Sequence, residues 1–443
     1  MVADISSDKL LLDKAKQVLK DNMLNGIVIP AQGLYPHQVL WDSCFISIGL
    51  SHYNVKQAQK QIREFFNAQW KNGMIPHIIF NPLPRYWYDR RIWRSWISPL
   101  ANKSIATSGM TQPPMFAEAI TKIGSKLNGS ERLEWYNSIY DQLVNYHTWL
   151  YKERDPKDRG LITLIHPWET GLDNTPPWLE SLRHRHAPWW VNVIVWLKID
   201  KIADRIRFDG KYVDYNQRSS SVEALRLYDA LRHIRAKKYD TSSILNKPPF
   251  AIEDLTFNCL LIRANQYLKQ ISKEIKRPLP NELLTKMNST EMALEELWDN
   301  QEGMYFSRNI ITGNLLKQVS VSSLLPIYSG VISKERAAKI VSLINSNEHF
   351  DVPFPIPSVP PSSSWFKPMR YWQGPSWVNI NWLLIDGLKR YGYVKEACKI
   401  TDITIQMTKN NGFYEYYNPL TGEPAGVSNF SWTAALIVDL LMN

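Results

Sequence analysis

Apolar residues recur three and four positions apart through most of the chain, the spacing of one face of a helix. Between Val55 and Trp70 the series Ala58, Ile62, Phe65, Phe66 and Trp70 marks one buried stripe on an otherwise charged segment. Ser7 to Met23 repeats the pattern with Leu10, Leu11, Ala15, Val18 and Leu19. The same reading predicts helices over Arg132–Tyr151, Trp190–Phe208, Ser221–Ala236, Ile252–Ile275, Glu282–Leu297, Lys334–Asn345, Trp377–Arg390, Val394–Lys409 and Trp432–Leu441. Alternation of the strand type is confined to short pieces, Met304–Ser307 and Gly412–Tyr416.

The helices are of two kinds. Some carry a wet and a dry face, like Val55–Trp70; others, like Trp377–Leu388, are apolar nearly all round. Two concentric layers require that mixture, because an outer helix meets water on one side and an inner helix is packed on nearly all sides. A solenoid would show a fixed period of roughly 20–50 residues, and none is visible. No Gly/Ser-rich linker, charge block or low-complexity tract divides the chain, so residues 1–443 read as one all-α catalytic-sized domain. Long loops rich in Trp, Pro, Asn and Asp separate the helices, and such loops on a rigid scaffold carry function.

Composition sharpens the picture at one point. Hydrophobic and charged fractions are ordinary, but 18 Trp, 21 Tyr and 14 Phe are not. Tryptophan serves either as core filling or as a flat platform for sugar rings. The net charge of +10 comes from scattered Lys and Arg with no nucleic-acid-binding motif, so no nucleic-acid partner is expected. A mild positive field instead suits a small anionic ligand. Cys44, Cys259 and Cys398 are odd in number and far apart, as in a reducing compartment. The N-terminal segment is amphipathic, unlike a secretion signal, and no apolar run reaches the ~18 residues that span a bilayer. A soluble cytoplasmic protein with no membrane partner is therefore expected; nothing in the pattern excludes a homo-oligomer.

Candidate chemistry gathers in a few loop segments. These are Leu34–Phe45, Thr107–Pro114, Pro167–Pro176, Tyr371–Asn381 and Gly412–Pro419, the last followed by Asn429–Thr433. Each mixes carboxylate or amide groups, which grip hydroxyls, with aromatics, which stack on rings. Cleaving a glycosidic bond then needs one protonated carboxyl and one carboxylate that attacks or activates water. Asp173, crowded by Trp168, Leu172, Pro176, Pro177 and Trp178, is placed where apolar surroundings raise a carboxyl's pKa. An N-terminal helix cap in Asp173-Asn174-Thr175-Pro176 explains the same residue equally well. Arg183-His184-Arg185-His186 lacks the i, i+4 spacing of a helical metal pair, so neither metal nor cofactor is expected.

The ordered set Trp41-Asp42-Ser43, Trp168-Glu169-Thr170-Gly171-Leu172-Asp173-Asn174-Thr175-Pro176, Tyr371-Trp372-Gln373-Gly374-Pro375 and Phe430-Ser431-Trp432-Thr433-Ala434 resembles glycoside hydrolase family 63. The likeness is to its small bacterial-type branch of mannosylglycerate and glucosylglycerate hydrolases, and it runs from about Tyr35 to the C-terminus. It implies an (α/α)6 barrel, a double ring of helices of the six-hairpin glycosidase type, and hydrolysis with inversion of a small α-glucoside or α-mannoside. It also implies that Asp173 is the general acid and that a glutamate before Phe430 is the base. Glu415, between two tyrosines, fits that place better than Glu423, which sits in a turn-like Thr-Gly-Glu-Pro setting. For inversion the two carboxyls stand ~6.5–9.5 Å apart, leaving room for a water.

The resemblance further implies that Asp42 grips the sugar beside Trp41 and that Tyr88 and Gln112 hold a glycerate end. Tyr35, Trp168, Gly171, Tyr371, Gln373 and Trp432 belong to the same motifs and complete the expected binding set. Trp372 and Trp377 either line the pocket or pack the inner ring. Arg183 and its neighbour Arg185 either meet a carboxylate through a bidentate fork or lie on the surface. Two other functions fit the same loops: an epimerase of the acylglucosamine type, which relies on histidines at the mouth, and a sugar-binding protein without turnover.

Overall fold

The computed structural model describes residues 5–179 and 208–443. The helix expected over Trp190–Phe208 lies almost wholly outside the described residues, as do Arg183 and Arg185. Twelve of the described helices form the scaffold and are numbered in chain order. They are α1 (Ile5–Asp21), α2 (Leu40–Ser51), α3 (Val55–Asn67), α4 (Phe116–Gly124), α5 (Gly129–Arg154) and α6 (Leu255–Glu274). The second half supplies α7 (Asn281–Ala293), α8 (Pro326–Ser329), α9 (Lys334–Ile344), α10 (Val378–Arg390), α11 (Val394–Asn411) and α12 (Ser431–Met442).

Odd and even helices part company. The even ones pack in sequence, α2 on α4, α4 on α6, α6 on α8, α8 on α10 and α10 on α12, and α12 returns to α2. That closed ring is enclosed by the odd helices, each packed on an even neighbour. The architecture is an (α/α)6 barrel.

Burial follows the ring. All of α2 from Leu40 to Ser51 is buried, and α12 is buried from Ser431 to Asp439. On the outer α3 only Ala58, Gln61, Ile62, Phe65 and Phe66 are buried, a single stripe, and Asn54 caps its start through Gln57 N. On α1 the buried stripe is Leu11, Ala15, Val18 and Leu19; Leu10, expected among them, falls about 100° round the helix and is exposed.

Three helices run against the sequence reading. Residues 40–51, of which 40–45 were read as part of a loop, form α2, and Phe116–Gly124 and Pro326–Ser329 were not foreseen as helices. The cause is burial: α2 has no polar face, so it shows no period.

The inner helices begin at one end of the barrel. There the starts of α2, α10 and α12 meet the loop before α4. The long excursion between α5 and α6 crosses the same end, carrying the Pro167–Thr170 turn and the helix Ser221–Ala236. A hairpin of β1 (Tyr414–Tyr417) and β2 (Pro424–Ser428) closes one side. Its register pairs Tyr414 with Ser428 and Tyr416 with Ala425, and shifts between them. Glu415 sits in that irregularity, a device that re-aims a side chain.

Candidate active site

A cavity of about 230 Å3 opens at this end, lined by residues from well-separated parts of the chain. Trp41 and Asp42 come from the first turn of α2, Gln112 from the approach to α4, and Trp168, Gly171 and Asp173 from the α5–α6 excursion. Tyr371 and Trp372 precede α10, Glu415 comes from the hairpin, and Trp432 from the start of α12. Tyr35, also expected, stands at the wall.

Aromatic rings build the walls. Trp41 packs edge-on to Trp432 at 5.5 Å and tilted to Trp372 at 6.3 Å. Trp372 stacks on Trp377 at 3.8 Å with planes 3° apart. Trp377 thus backs the wall rather than forming it, and its indole N–H donates to the Tyr371 carbonyl. Gly171 has φ 74°, and a Cβ there would lie 2.7 Å from the Trp41 ring. Only glycine allows both that backbone and that approach.

Three buried polar atoms in these walls lack a protein partner: the indole nitrogens of Trp372 and Trp432 and the Gln112 Oε1. Buried polar groups are normally bonded, so these three atoms leave hydrogen-bonding capacity unmet in the walls.

The loop bearing Asp173 is fixed from below. Arg154, at the end of α5, donates to both oxygens of Glu169 at 2.9 and 2.7 Å, and both side chains are fully buried. Glu169 also accepts from Ile165 N. Beside it, Asn174 Oδ1 accepts from Trp372 N at 2.9 Å, and Gln373 Nε2 donates to the Asn174 carbonyl at 3.1 Å. Gln373 therefore ties two loops together and does not reach the cavity.

The carboxyls have contrasting surroundings. Burial pushes Asp173 up to about 7, against the hydroxyl of Tyr371, which donates to it at 3.0 Å, and the charge of Arg218. Its carboxyl turns to Tyr371 and the cavity. Glu415 is buried and accepts from Tyr35 OH at 2.8 Å, from Arg218 Nη1 at 3.0 and 3.1 Å, and from Val427 N at 3.2 Å. Glu423 is exposed at the hairpin turn. Asp42 is also raised well above the usual carboxylate range, by burial first and then by Glu415 and Asp173.

Among the described residues three expected ones stand off the cavity, Trp377 already named among them. Tyr88 lies on the helix Trp87–Trp93, exposed and packed on Trp87, and Gln373 acts behind the wall. Arg183 lies outside the described residues. Sequence reasoning missed His77, Trp93, Phe430 and Arg218. The first three line the cavity. His77 is held near 3, chiefly by burial, and its Nδ1 meets Ser108 Oγ at 2.7 Å. It is a neutral imidazole at the wall. Phe430 opens the Phe-Ser-Trp-Thr-Ala motif but was not singled out as a lining residue, and the other three sit in no recognisable local pattern.

A family model of the mannosylglycerate hydrolase MGH1-like glycoside hydrolase domain matches residues 35–433. The chain belongs to this family of glycoside hydrolases. The hydrolase is 34% identical over 433 residues to mannosylglycerate hydrolase MGH2 of Selaginella moellendorffii, covering 97% of this chain and 85% of that one. It is 30% identical to a glucosylglycerate hydrolase of Mycolicibacterium hassiacum, with 97% of each chain covered. The crystal structure of the GH63 mannosylglycerate hydrolase from Thermus thermophilus in complex with Tris and D-glycerate superposes with a TM-score of 0.86 at 32% identity. It covers 97% of this hydrolase and 99% of that chain. Membership displaces the epimerase and passive-binding readings. No described helix of the hydrolase is long and apolar enough to cross a membrane.

Proposed function

We propose that this hydrolase cleaves a small α-glucoside or α-mannoside with inversion, glucosylglycerate or mannosylglycerate above all, with Asp173 as general acid and Glu415 as general base. One observation carries the roles: Asp173 and Glu415 face one aromatic cavity, and Asp173, which has no cationic hydrogen-bond partner, is pushed by burial to about 7. A carboxyl poised there still holds a proton to give near neutrality. Asp173 delivers that proton to the glycosidic oxygen as the bond to the anomeric carbon breaks. A water attacks the opposite face and passes its proton to Glu415, so one water is consumed and the anomeric configuration inverts. Afterwards the Asp173 carboxylate keeps the Tyr371 hydroxyl as donor.

The unpartnered indole nitrogens of Trp372 and Trp432, the amide of Gln112 and the carboxyl of Asp42 supply hydrogen bonds to the sugar. Trp41 and Trp372 supply flat surface. The glycerate end follows from the relatives' names and the D-glycerate held by the Thermus enzyme. Residues 1–443 act as one catalytic domain in this reading.

The test is a proton NMR time course of purified protein with glucosylglycerate, mannosylglycerate, glucosylglycerol and trehalose. The β-anomer of the sugar should appear first, from one of the two glycerate glycosides. Initial release of the α-anomer, or no cleavage of any of the four, would overturn the proposal.

A further inference from the structure

The base is fully engaged. A carboxylate offers about four acceptor sites, and Glu415 fills them with Tyr35 OH, Val427 N and two contacts from Arg218 Nη1. No site is left for the water that Glu415 has to deprotonate.

The donors differ in how they are held. Val427 belongs to the hairpin that carries Glu415, and the backbone there is flush against it: a Cβ on Gly426 would lie 2.6 Å from Glu415 Oε2. Tyr35 packs edge-on to Phe430 in the wall. Arg218 alone arrives from the α5–α6 excursion, between the short turn Tyr215–Gln217 and the cap Ser220. Its guanidinium also donates to Tyr35 OH and lies 4.4 Å over the ring of Tyr371, whose hydroxyl meets Asp173. Arg218 thus touches both catalytic arms. The described residues lining the cavity include no lysine or arginine, and Arg218 sits directly behind three that do line it, Tyr35, Tyr371 and Glu415.

We infer that Arg218 is a lock on the base and that a carboxylate on the leaving group is what opens it. This inference rests on the hydrolytic reading above. A guanidinium fork binds any carboxylate bidentately. As an anionic aglycone enters, its carboxylate takes the fork, and Glu415 gains a free acceptor site for water. A carboxylate relieved of a cation also holds a proton more firmly, which favours its work as base. Arg218 keeps its charge throughout; only its partner changes. Arg218 is then a positioning residue that makes turnover depend on the aglycone's charge, and a neutral glycoside of the same shape meets an enzyme whose base stays occupied.

Two measurements test this. The first needs no variant. The intact protein is given α-glucosyl or α-mannosyl fluoride, whose leaving group has no carboxylate, with and without millimolar D-glycerate. Glycerate should raise the hydrolysis rate about tenfold, within the usual range of coupling between two bound ligands. Pure inhibition by glycerate would overturn the lock. The second compares kcat for glucosylglycerate and glucosylglycerol, which differ by a carboxylate against a hydroxymethyl group, in the parent and in Arg218→Gln. The parent should favour the anion by about 10- to 100-fold in kcat. The variant should lose that ratio and its activation by glycerate, with Arg218→Lys intermediate. A change confined to KM, or an equal fall with both substrates, would reduce Arg218 to aglycone binding or to structure and sink the proposal. Failure to cleave every glycoside, the fluorides included, would instead refute the hydrolase reading.

Discussion

Replacing Asp173 with Asn should slow turnover severely and, above neutral pH, make the protein more stable. Moving the carboxyl from 3.8 to about 7 corresponds to about 4 kcal/mol, at ~1.4 kcal/mol per tenfold change in proton affinity. The group is half-buried and lines the open cavity, so ~2–3 kcal/mol is the better figure. Below 3.8 the carboxyl is protonated in both folded and unfolded chains and contributes nothing. As pH rises the unfolded chain releases the proton first, so the folded state loses stability until about 7, where the loss is complete. Asn cannot ionise and escapes the loss. Urea melts of parent and variant should therefore differ by only ~1 kcal/mol at about pH 4.5 and by ~2–3 kcal/mol at about pH 8, with the variant ahead. Turnover of the variant should drop about 10²- to 10⁴-fold. The parent's kcat/KM should fall with rising alkalinity, with a midpoint near 7. A stability difference independent of pH, or a rate that stays level to about pH 9, would refute the assignment of Asp173 as a desolvated proton donor.

Other consequences are open to direct measurement. Glu415→Gln should lower kcat by a similar ~10²- to 10⁴-fold, whereas the exposed Glu423→Gln should leave the rate unchanged; equal effects would misplace the base. Glu169→Gln strands the Arg154 charge in a dry setting and should cost about 3–5 kcal/mol in a denaturant melt. The double change Arg154→Met with Glu169→Gln should recover part of that cost. Gly171→Ala forces a Cβ towards the Trp41 ring at a positive φ, so KM should rise and kcat fall together, and crystals should show Trp41 displaced.

The helical layers were legible wherever a helix kept one face in water. The stripes of α1, α3 and α9 are visible because solvent enforces polar residues between the apolar ones. α2 hid because solvent touches none of it, and α8 because four residues hold barely one turn. In the site, Asp173 and Glu415 lie in motifs dense with aromatics, and the structure brings both to one cavity. Arg218 and His77 could not be found that way. Arg218 acts on a residue 197 positions further along the chain, and a lone arginine before a Ser-Ser-Ser run reads as a solvated loop. His77 matters through its buried pairing with Ser108, which no local spacing announces.

The contact of α12 with α2 has a further meaning. Trp41 is made long before Trp432, yet they are opposite sides of the same corner. A growing chain on the ribosome therefore holds an inner wall with no neighbour until α12 has emerged. Until then the apolar surface of α2 is open to wrong partners. Contacts this remote in sequence slow folding, and chaperone dependence during translation should be traceable to that one late seam: releasing nascent chains that end before Ser431 should give aggregates rather than weakly active enzyme.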